Sequence, residues 1–404
     1  MRIVGRHSNM FCTEGGLMRI DMHCHMVGKG DRIDHADEEV YFNPYDNNHW
    51  VTRILYGMLE KQLDKLGADV VDDDSISTHE YLTFLKQTLF ESEELDAITL
   101  LAFDAVYEEP EESWKEPAEW IDPICTDLYV TNTFLHNAIQ AANSELEEWR
   151  RSDPVDRHGN PRTPKRFLFG ASVSPNRPDW REELRYVIEE TDAVLCKIIP
   201  STHHVILDAE RDGVLMHRDY YETLAEAGLP LLCHVGPEYS FPEGMRHKEL
   251  DRFARLEAPL SCGTTVIAAH CASPVFPLID ADTITDFGEF MQKMNAEYGK
   301  TGENGHSIPV LYADTSALSL STRLVWLSKI RDTLRPEWLL HGSDFPIPID
   351  AWCHHPFLSG NITFDEFSEI RRTRNPFDRD VRIKRAHGFA EETITSPGAV
   401  LRMP

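Results

Sequence analysis

Two histidines one residue apart, in the stretch RIDMHCHMVGKG, have the spacing of metal ligands on a strand. His23 and His25 follow Asp21 at intervals of two. Because successive side chains of a strand point to opposite faces, these three residues would share one face. Two imidazoles on one strand face can chelate a single metal ion. The pair alone is also compatible with two histidines beside a loop, so the rest of the chain must decide.

Four more ionisable side chains occur late in short apolar runs. A polar or charged group in such a run is costly to bury unless it is paired or bound to a metal ion. One buried histidine is usually a hydrogen-bonded core residue, but several such groups at equivalent positions favour a metal site. The runs AVLCKIIP, LPLLCHVG, TVIAAHC and WLLHGSDF carry Lys197, His234, His270 and Asp344.

The elements that must position these residues are eight apolar runs separated by helical patterns. The runs span residues 20–25, 97–105, 166–174, 193–200, 229–236, 265–271, 309–317 and 338–345, and helical patterns cover 178–191, 218–228 and 321–336. Strands that alternate with helices predict a parallel α/β sheet, and eight of them predict a (β/α)8 TIM barrel. An open doubly wound sheet is the alternative, but no GxGxxG follows the first run. The active site of such a barrel lies at the carboxyl ends of the strands.

We expect one barrel domain over residues 1–404, with an inserted helical cap at about 28–95 after the first strand. This stretch is too long for a plain connection, and residues 49–67 and 78–96 have helical patterns. The acidic, proline-punctuated segment 107–120 is interpreted as a solvated loop near the barrel mouth.

Composition narrows the class of protein. The 404 residues are 41% hydrophobic and 27% charged, with a net charge of -28, which disfavours nucleic acid and anionic membranes as partners. No apolar run approaches the roughly 20 residues of a membrane-spanning helix, and residues 1–18 lack the apolar core of a signal peptide. We therefore expect a soluble, cytoplasmic protein.

The eight cysteines form no CxxC pair, so neither a zinc ribbon nor a disulfide framework is indicated. Four of them adjoin the residues singled out above. On strands these neighbours would point away from the site, so we interpret them as small buried hydrophobic residues. They are Cys24, Cys196, Cys233 and Cys271.

The ordered set HxH, Lys, His, His and Asp resembles the amidohydrolase superfamily of metal-dependent TIM barrels. The segments KIIPSTHH, LPLLCHVG, AAHCASP and HGSDFP are similar to the branch that includes aminocarboxymuconate-semialdehyde decarboxylase. The resemblance runs from about Met18 to the GSDFP segment and beyond. Residues 28–95, 237–262 and 277–308 match no subfamily, which leaves the substrate open.

The resemblance implies that His23, His25, His234 and Asp344 bind one divalent metal ion. Zinc suits imidazole and carboxylate ligands best, although manganese, iron or cobalt also accept them. The ion would lower the pKa of a bound water towards about 7, and Asp344 would take the proton from that water. His270 would stand beside the metal and either polarise the substrate or stabilise the developing oxyanion.

Lys197 leaves the metal count open. In binuclear members of the superfamily a carboxylated lysine on strand four bridges two ions, and His270 would then be a ligand of the second ion. In the branch that this sequence resembles most, one metal is usual and the lysine stays an amine. We expect one ion, with the Lys197 amine paired to Asp344 or to a substrate carboxylate.

Further residues carry weaker signals. Glu238, Tyr239 and His203 follow strands five and four closely and are candidate substrate contacts. Asp21 lies one inward layer below His23 and either orients a ligand imidazole or simply opens the strand. Asp314, late in the seventh run, is interpreted as a structural hydrogen-bond acceptor.

Three classes of function compete. The leading hypothesis is a metal-dependent hydrolase that acts on an amide, ester or lactone bond of a small molecule. The alternative is a nonoxidative decarboxylase of an unsaturated or aromatic acid, which arginines clamping a carboxylate at the mouth would favour. A noncatalytic barrel would be signalled by a missing ligand, and none is missing. The sequence leaves open whether the chain forms a homo-oligomer.

Overall fold

The computed structural model describes residues 12–13, 16–27, 40–42, 71–72, 75–76, 78–107, 120–302, 305 and 307–404. Within them, eight parallel strands form one sheet whose spatial order follows the chain order throughout. These strands are β1 (Ile20–His25), β2 (Ala97–Leu101), β3 (Arg166–Ala171), β4 (Ala193–Ile198), β5 (Leu231–Cys233), β6 (Val266–Ala268), β7 (Leu311–Asp314) and β8 (Leu339–Leu340).

Hydrogen bonds between β1 and the segment after β8 close the sheet into a barrel. The backbone N–H of Met22 donates to the carbonyl of His341 at 3.0 Å, and that of His25 donates to the carbonyl of Phe345 at 2.8 Å. In return, the N–H of Asp344 donates to the carbonyl of His23 at 2.7 Å. The predicted barrel is confirmed, and its closure brings the HxH strand against the GSDFP segment.

Helices connect the strands and cover the outside of the sheet. The longer ones are α1 (Thr78–Phe90), α2 (Asn132–Ser152), α3 (Trp180–Glu189), α4 (Arg218–Ala227), α5 (Ile284–Tyr298), α6 (Leu327–Thr333), α7 (Phe364–Arg372) and α8 (Pro376–Ala386). Shorter α-helices span Pro242–Arg246, Glu257–Ser261, Pro356–Ser359, Glu392–Thr395 and Pro397–Val400. The helices predicted over 178–191, 218–228 and 321–336 are confirmed, the last as a 3₁₀ turn, Ser321–Trp326, followed by α6.

Local sequence explains where several helices begin and end. Gly228 ends α4 in the left-handed region, at φ 63°, where a side chain would be strained. Thr363 and Glu366 form a capping box at the start of α7. Both signals involve residues fewer than five positions apart, so they can be recognised in the sequence.

The predicted helical cap is not confirmed. Of the segment 28–95, the second helical pattern contains α1, whereas the first, residues 49–67, lies outside the described residues. The loop predicted at 107–120 also lies almost entirely outside them.

Two apolar clusters make up the core. The smaller one takes residues from all eight strands, such as Leu195, Leu232 and Tyr312, and therefore fills the barrel interior. The larger one lies between the strands and the helices and contains Cys24, Cys196, Cys233 and Cys271. The prediction that these four cysteines face away from the site is confirmed, and all four are free thiols.

Side-chain alternation now places the ionisable residues. Lys197, His234 and Asp314 each come two positions after an inward-facing residue of the barrel interior, namely Leu195, Leu232 and Tyr312. Residues two apart on a strand share a face, so these groups lie one layer closer to the carboxyl-terminal mouth. Among the described residues, no helix is both long and apolar enough to span a membrane.

Candidate active site

Three predicted ligands converge at the carboxyl ends of β1 and β8. The Nε2 atoms of His23 and His25 lie 3.2 Å apart. Oδ1 of Asp344 lies 3.2 Å from Nε2 of His23 and 3.1 Å from Nε2 of His25. His23 is fully buried and Asp344 is almost so, which gives a compact donor group of two imidazoles and one carboxylate.

Asp314, at the end of β7, fixes the orientation of this group. Its Oδ2 accepts a hydrogen bond from Nδ1 of His23 at 2.7 Å, so the Nδ1 atom carries the proton and Nε2 presents its lone pair. Its Oδ1 accepts from the backbone N–H of His270 at 2.8 Å, from that of Ser316 at 3.0 Å, and from the Ser316 hydroxyl. Asp314 is thus the hydrogen-bond acceptor that the sequence indicated, and it orients a predicted ligand as well.

The role considered for Asp21 belongs to Asp314 instead. Oδ1 of Asp21 accepts the backbone N–H groups of His23 at 3.0 Å and of Ser343 at 2.9 Å, and the structure shows no contact with either imidazole. Burial raises the pKa of Asp21 to about 7, although hydrogen bonds from Ser343 and His23 oppose the rise. Asp21 therefore ties β1 to the segment that carries Asp344.

The two loops that carry Asp344 and His270 have left-handed backbones. Asp344 has φ 64°, and the successive residues His270, Cys271 and Ala272 have φ 57°, 52° and 49°. Such conformations cost non-glycine residues of order 1–3 kcal/mol each and occur where the surroundings enforce them. Asp344 and His270 both lie just beyond their strands rather than inside them, which corrects the sequence-based placement.

His270 lies between the donor group and His234. The Ser316 hydroxyl donates to Asp314, so it accepts from Nδ1 of His270 at 2.7 Å, and Nε2 of His270 faces Nδ1 of His234 at 3.2 Å. Nδ1 of His270 lies 3.9 Å from Oδ2 of Asp344. His270 therefore stands beside the donor group.

His234, the predicted fourth ligand, is not part of the tight donor group. Its Nε2 atom is buried without a hydrogen-bond partner among the described residues, and the closest carboxylate oxygen there is Oε2 of Glu238 at 3.5 Å. An orphaned buried imidazole nitrogen facing a carboxylate has the chemistry of a metal or substrate contact. The structure thus brings His23, His25 and Asp344 together and leaves His234 one ring away, beside His270.

The site favours neutral imidazoles at His23, His234 and His270 and an ionised carboxylate at Asp344. Burial, with the Lys197 charge, lowers the pKa of His23, and burial lowers those of His234 and His270 well below the usual value. Burial alone would raise the pKa of Asp344, but His23, His25 and Lys197 bring it well below its ordinary range. Neutral imidazole and ionised carboxylate are the forms that bind metal ions.

Lys197 reaches the donor group from β4. Its Nζ atom lies 3.4 Å from Nε2 of His23, and the side chain is buried. Burial lowers the pKa of Lys197, while Asp314 and Asp344 oppose that shift. A buried amine at this distance is placed to act on whatever occupies the donor group.

The candidate substrate contacts divide into two groups. Glu238 is buried, and burial raises its pKa, so that it faces the site as a carboxyl group able to hold a proton. His203 is buried as well, and its ring packs edge-on against that of Phe103 with the centroids 5.0 Å apart. Tyr239 points elsewhere, because its hydroxyl donates to Asp280 at 2.6 Å.

Sequence reasoning missed Arg323, in the 3₁₀ turn after β7. Its side chain is buried, and its Nε and Nη1 atoms have no hydrogen-bond partner among the described residues. Burial lowers its pKa, while the charges of Asp344 and Glu238 raise it, and its own charge lowers the pKa values of His234 and His270. An unpaired guanidinium next to the donor group is suited to binding an anion. Its position shortly after a barrel strand was the signal available in the sequence.

A cavity of about 1320 Å³ opens at the opposite end of the barrel. It is lined by residues that precede β1, β2 and β3, among them Arg19, Glu93 and Lys165, and by residues of α7 and α8. None of the donor residues lines it. Because barrels of this type react at the carboxyl ends of their strands, we assign the chemistry to the other end.

The residues of the donor group fit a divalent metal ion. The Nε2 atoms of His23 and His25 and Oδ1 of Asp344 converge within 3.2 Å, and the proton of His23 is held on Nδ1 by Asp314. Lone pairs that face one another without a proton between them repel unless a cation lies among them. Two imidazoles and a carboxylate are a donor set found at zinc sites.

The sequence of residues 159–382, more than half of the chain, matches the amidohydrolase family. The chain belongs to this family. The recognition made from the HxH, lysine, histidine and aspartate series is therefore confirmed. No curated protein matches the chain.

Solved structures with a similar arrangement include hydrolases and decarboxylases. A probable 2-pyrone-4,6-dicarboxylic acid hydrolase from Acinetobacter baumannii is 11% identical to this amidohydrolase, covering 94% of this chain and 100% of its own, with a TM-score of 0.43. A 5-carboxyvanillate decarboxylase from Sphingomonas paucimobilis is 13% identical, covering 94% and 99%, with a TM-score of 0.39. A dihydroxybenzoic acid decarboxylase from Polaromonas, determined with bound manganese, is 13% identical, covering 89% and 97%, with a TM-score of 0.36.

Proposed function

We propose that this amidohydrolase is a metal-dependent hydrolase of an amide, ester or lactone bond in a small molecule that carries a carboxylate. The observation that carries the proposal is the convergence of His23, His25 and Asp344, together with the hydrogen bond by which Asp314 orients the His23 imidazole. His23, His25 and Asp344 would hold a divalent ion, with zinc suited to these ligands, and the ion would supply a water whose pKa falls from 15.7 to about 7.

Asp344 has the form and position of a general base. One of its oxygens, Oδ1, contacts both imidazoles of the donor group, while Oδ2 faces His270 at 3.9 Å. A carboxylate whose pKa lies well below its ordinary range is ionised at neutral pH, and ionisation is what a proton acceptor requires. Oδ1 would bind the ion and Oδ2 would take the proton.

Glu238, His270 and Lys197 complete the proposed chemistry. Burial raises the pKa of Glu238, which favours a protonated carboxyl able to donate to the leaving group. His270, whose Nδ1 proton is held by Ser316, has its Nε2 atom 3.2 Å from Nδ1 of His234 and would orient that imidazole. We propose that Lys197 stays an amine and that a single ion occupies the donor group.

Arg323 supports a substrate that carries a carboxylate. A buried guanidinium without a partner is costly, and a substrate carboxylate would satisfy it with two parallel hydrogen bonds. Such a clamp also holds the substrate in one orientation above the donor group.

The same arginine favours a second candidate, a nonoxidative decarboxylase. There the clamped carboxylate or a neighbouring one would leave as CO2, and Glu238 would deliver the proton that replaces it on carbon. Hydrolysis and decarboxylation differ in which bond breaks, not in the residues that hold the substrate.

One experiment separates the two reactions. The metal-loaded protein is incubated in ¹⁸O-labelled water with carboxylated lactones, esters and amides, and with aromatic and unsaturated carboxylic acids. The hydrolase proposal expects one labelled oxygen in the product and no CO2. Release of CO2 without oxygen incorporation would replace it with the decarboxylase. Turnover that is equal in wild type and in Asp344→Asn would contradict both.

A further inference from the structure

A second group of possible metal ligands lies outside the donor group, on the loops that follow β4 and β5. It consists of His204, Glu243 and His247. Nε2 of His204 lies 2.7 Å and Nε2 of His247 lies 3.0 Å from the same oxygen, Oε1 of Glu243. The two imidazole rings meet edge to face with their centroids 4.5 Å apart.

The local backbone explains the convergence. Glu243 belongs to the short helix Pro242–Arg246, and His247 comes four residues after Glu243, so both side chains project from the same side of the turn. His204 reaches them from the other loop with φ 55°, a left-handed backbone that a histidine rarely adopts. Three donor atoms from two loops therefore meet at one point.

The donors differ in exposure in a way that suits an ion. The Glu243 side chain is 4% exposed, whereas those of His204 and His247 are 32% and 39% exposed. A buried carboxylate oxygen flanked by two solvent-accessible imidazoles offers three ligands and leaves a fourth position open to water. Two imidazoles and a carboxylate are borderline to hard donors, the combination that zinc accepts.

We propose that His204, Glu243 and His247 bind a second divalent metal ion, with zinc as the cation that fits best, and that this ion ties the β4 loop to the β5 loop. The site shares no residue with the donor group of His23, His25 and Asp344. The proposal of this second metal site therefore does not depend on the proposed hydrolase activity.

The ion would act on the candidate active site through Gly244. This glycine packs so closely on Glu238 that an added Cβ atom would collide with the Glu238 side chain. Fixing the helix Pro242–Arg246 consequently fixes the wall behind Glu238, which faces His234. The metal would be structural, and its expected effect on the reaction is to hold Glu238 in place.

Arg246 is the group that competes with the ion. Its Nη1 atom lies 2.6 Å from Oε2 of Glu243, the oxygen that the histidines do not share. The Arg246 side chain is 52% exposed, so water screens its charge. Arg246→Gln should accordingly strengthen zinc binding at this site rather than weaken it.

The test is zinc stoichiometry. Full-length protein is stripped with a chelator, dialysed against a fixed free zinc concentration and analysed for zinc per chain. Wild type should bind two equivalents, and His204→Gln and His247→Gln one each. His158→Gln is the matched control, because His158 also contacts a glutamate, Glu93, at 2.8 Å but without a second imidazole; it should keep two.

A variant that lacks the candidate active-site metal shows zinc binding at the second site alone. In His23→Ala, zinc should still bind as one equivalent and raise Tm, whereas His23→Ala combined with His247→Gln should bind none and show no rise. The same zinc content in His247→Gln and wild type would overturn the second site. If wild type binds only one equivalent, and His23→Ala keeps it while His247→Gln loses it, the second site is supported and the first is contradicted.

Discussion

Two buried polar clusters contact the segment from His341 to Phe345. They differ in whether their charged and polar groups have partners. In the first, the paired cluster, Lys384 donates to Oδ2 of Asp380 at 2.5 Å and to the carbonyl of Gly342 at 2.6 Å. Ser319 donates to the other oxygen of Asp380 at 2.5 Å, and His354 contacts Ser319 and His387. Each carboxylate oxygen of Asp380 therefore has a partner.

The second, the open cluster, leaves its groups unmatched. It comprises His23, His25, His234, Asp344 and Arg323. Lone pairs converge on Asp344, Nε2 of His234 is orphaned, and Arg323 has two buried donors without partners among the described residues. Both clusters are largely buried, and we propose that the paired cluster supports the fold whereas the open cluster binds a ligand.

The largest effect is expected from breaking the paired cluster. Lys384→Met leaves the Asp380 carboxylate buried without its cation, which should cost about 3–5 kcal/mol in the free energy of unfolding. Urea denaturation measures this loss. The double variant Lys384→Met with Asp380→Asn should recover a large part of it, since no unpaired charge remains. Equal stability of Lys384→Met and wild type would show that the pair does not support the fold.

In the open cluster, the largest effect of a substitution should be on turnover. Asp344→Asn keeps the shape but removes the anionic ligand and the base, so turnover should fall at least about 100-fold. The unfolding free energy of the metal-free protein should fall as well, because His23, His25 and Lys197 stabilise the ionised form of Asp344 in the folded state. Steady-state kinetics on the substrate found by screening measures the first effect. Near wild-type activity would rule out Asp344 as the base.

A buried arginine and a half-buried one sharpen the comparison. Arg323→Met should raise KM for a carboxylated substrate by roughly 10–100-fold, because charged hydrogen bonds that contribute about 1.5–3 kcal/mol are lost. The substitution should not destabilise the fold. Arg379 is the control, because it donates to the carbonyl of Thr373 at 2.7 Å and to that of Ile349. Arg379→Met should lose stability and keep KM; an unchanged KM in Arg323→Met would remove the proposed clamp.

The smallest effect concerns pH and the paired cluster. Burial lowers the pKa of His354 from 6.5 to about 4, so the folded protein holds this histidine neutral where the unfolded chain protonates it. The unfolded state then binds more protons between pH 6.5 and 4, and stability is lost as the pH falls through that window. His354 should account for roughly 1 kcal/mol of the loss between pH 7 and 5.5.

The variant His354→Asn isolates that contribution. Chelator-treated wild type and variant are unfolded in urea at pH 7 and 5.5, so that metal release does not contribute. The fall in unfolding free energy should be smaller in the variant by the stated amount. Identical falls in both proteins would show that His354 is not neutral in the folded state.

The strands and most helices were predictable because their signals are local. The run that forms β1 and the Gly228 stop of α4 can each be recognised from a few neighbouring residues. The barrel rule then placed Lys197, His234 and Asp344 at one end without any knowledge of their contacts.

Partners that are distant in the sequence were not predictable in the same way. His23 and Asp314 are 291 positions apart in the sequence. The sequence pointed instead to Asp21, two residues from His23, as the carboxylate that orients the His23 imidazole. Arg323 was assigned to a helix, because a single sequence does not show that its guanidinium would be buried without a partner. Such roles depend on what the closed barrel brings together, which helix and strand patterns do not encode.

Metal content tests the central claim, that His23, His25 and Asp344 hold a divalent ion, most directly. It is measured by elemental analysis in the His247→Gln background, so that the proposed second site does not contribute. The parent should carry one equivalent, His23→Ala and His25→Ala should carry none, and His354→Asn, whose histidine is buried but paired, should keep the ion. Equal metal in the parent and in His23→Ala combined with His25→Ala would contradict the claim.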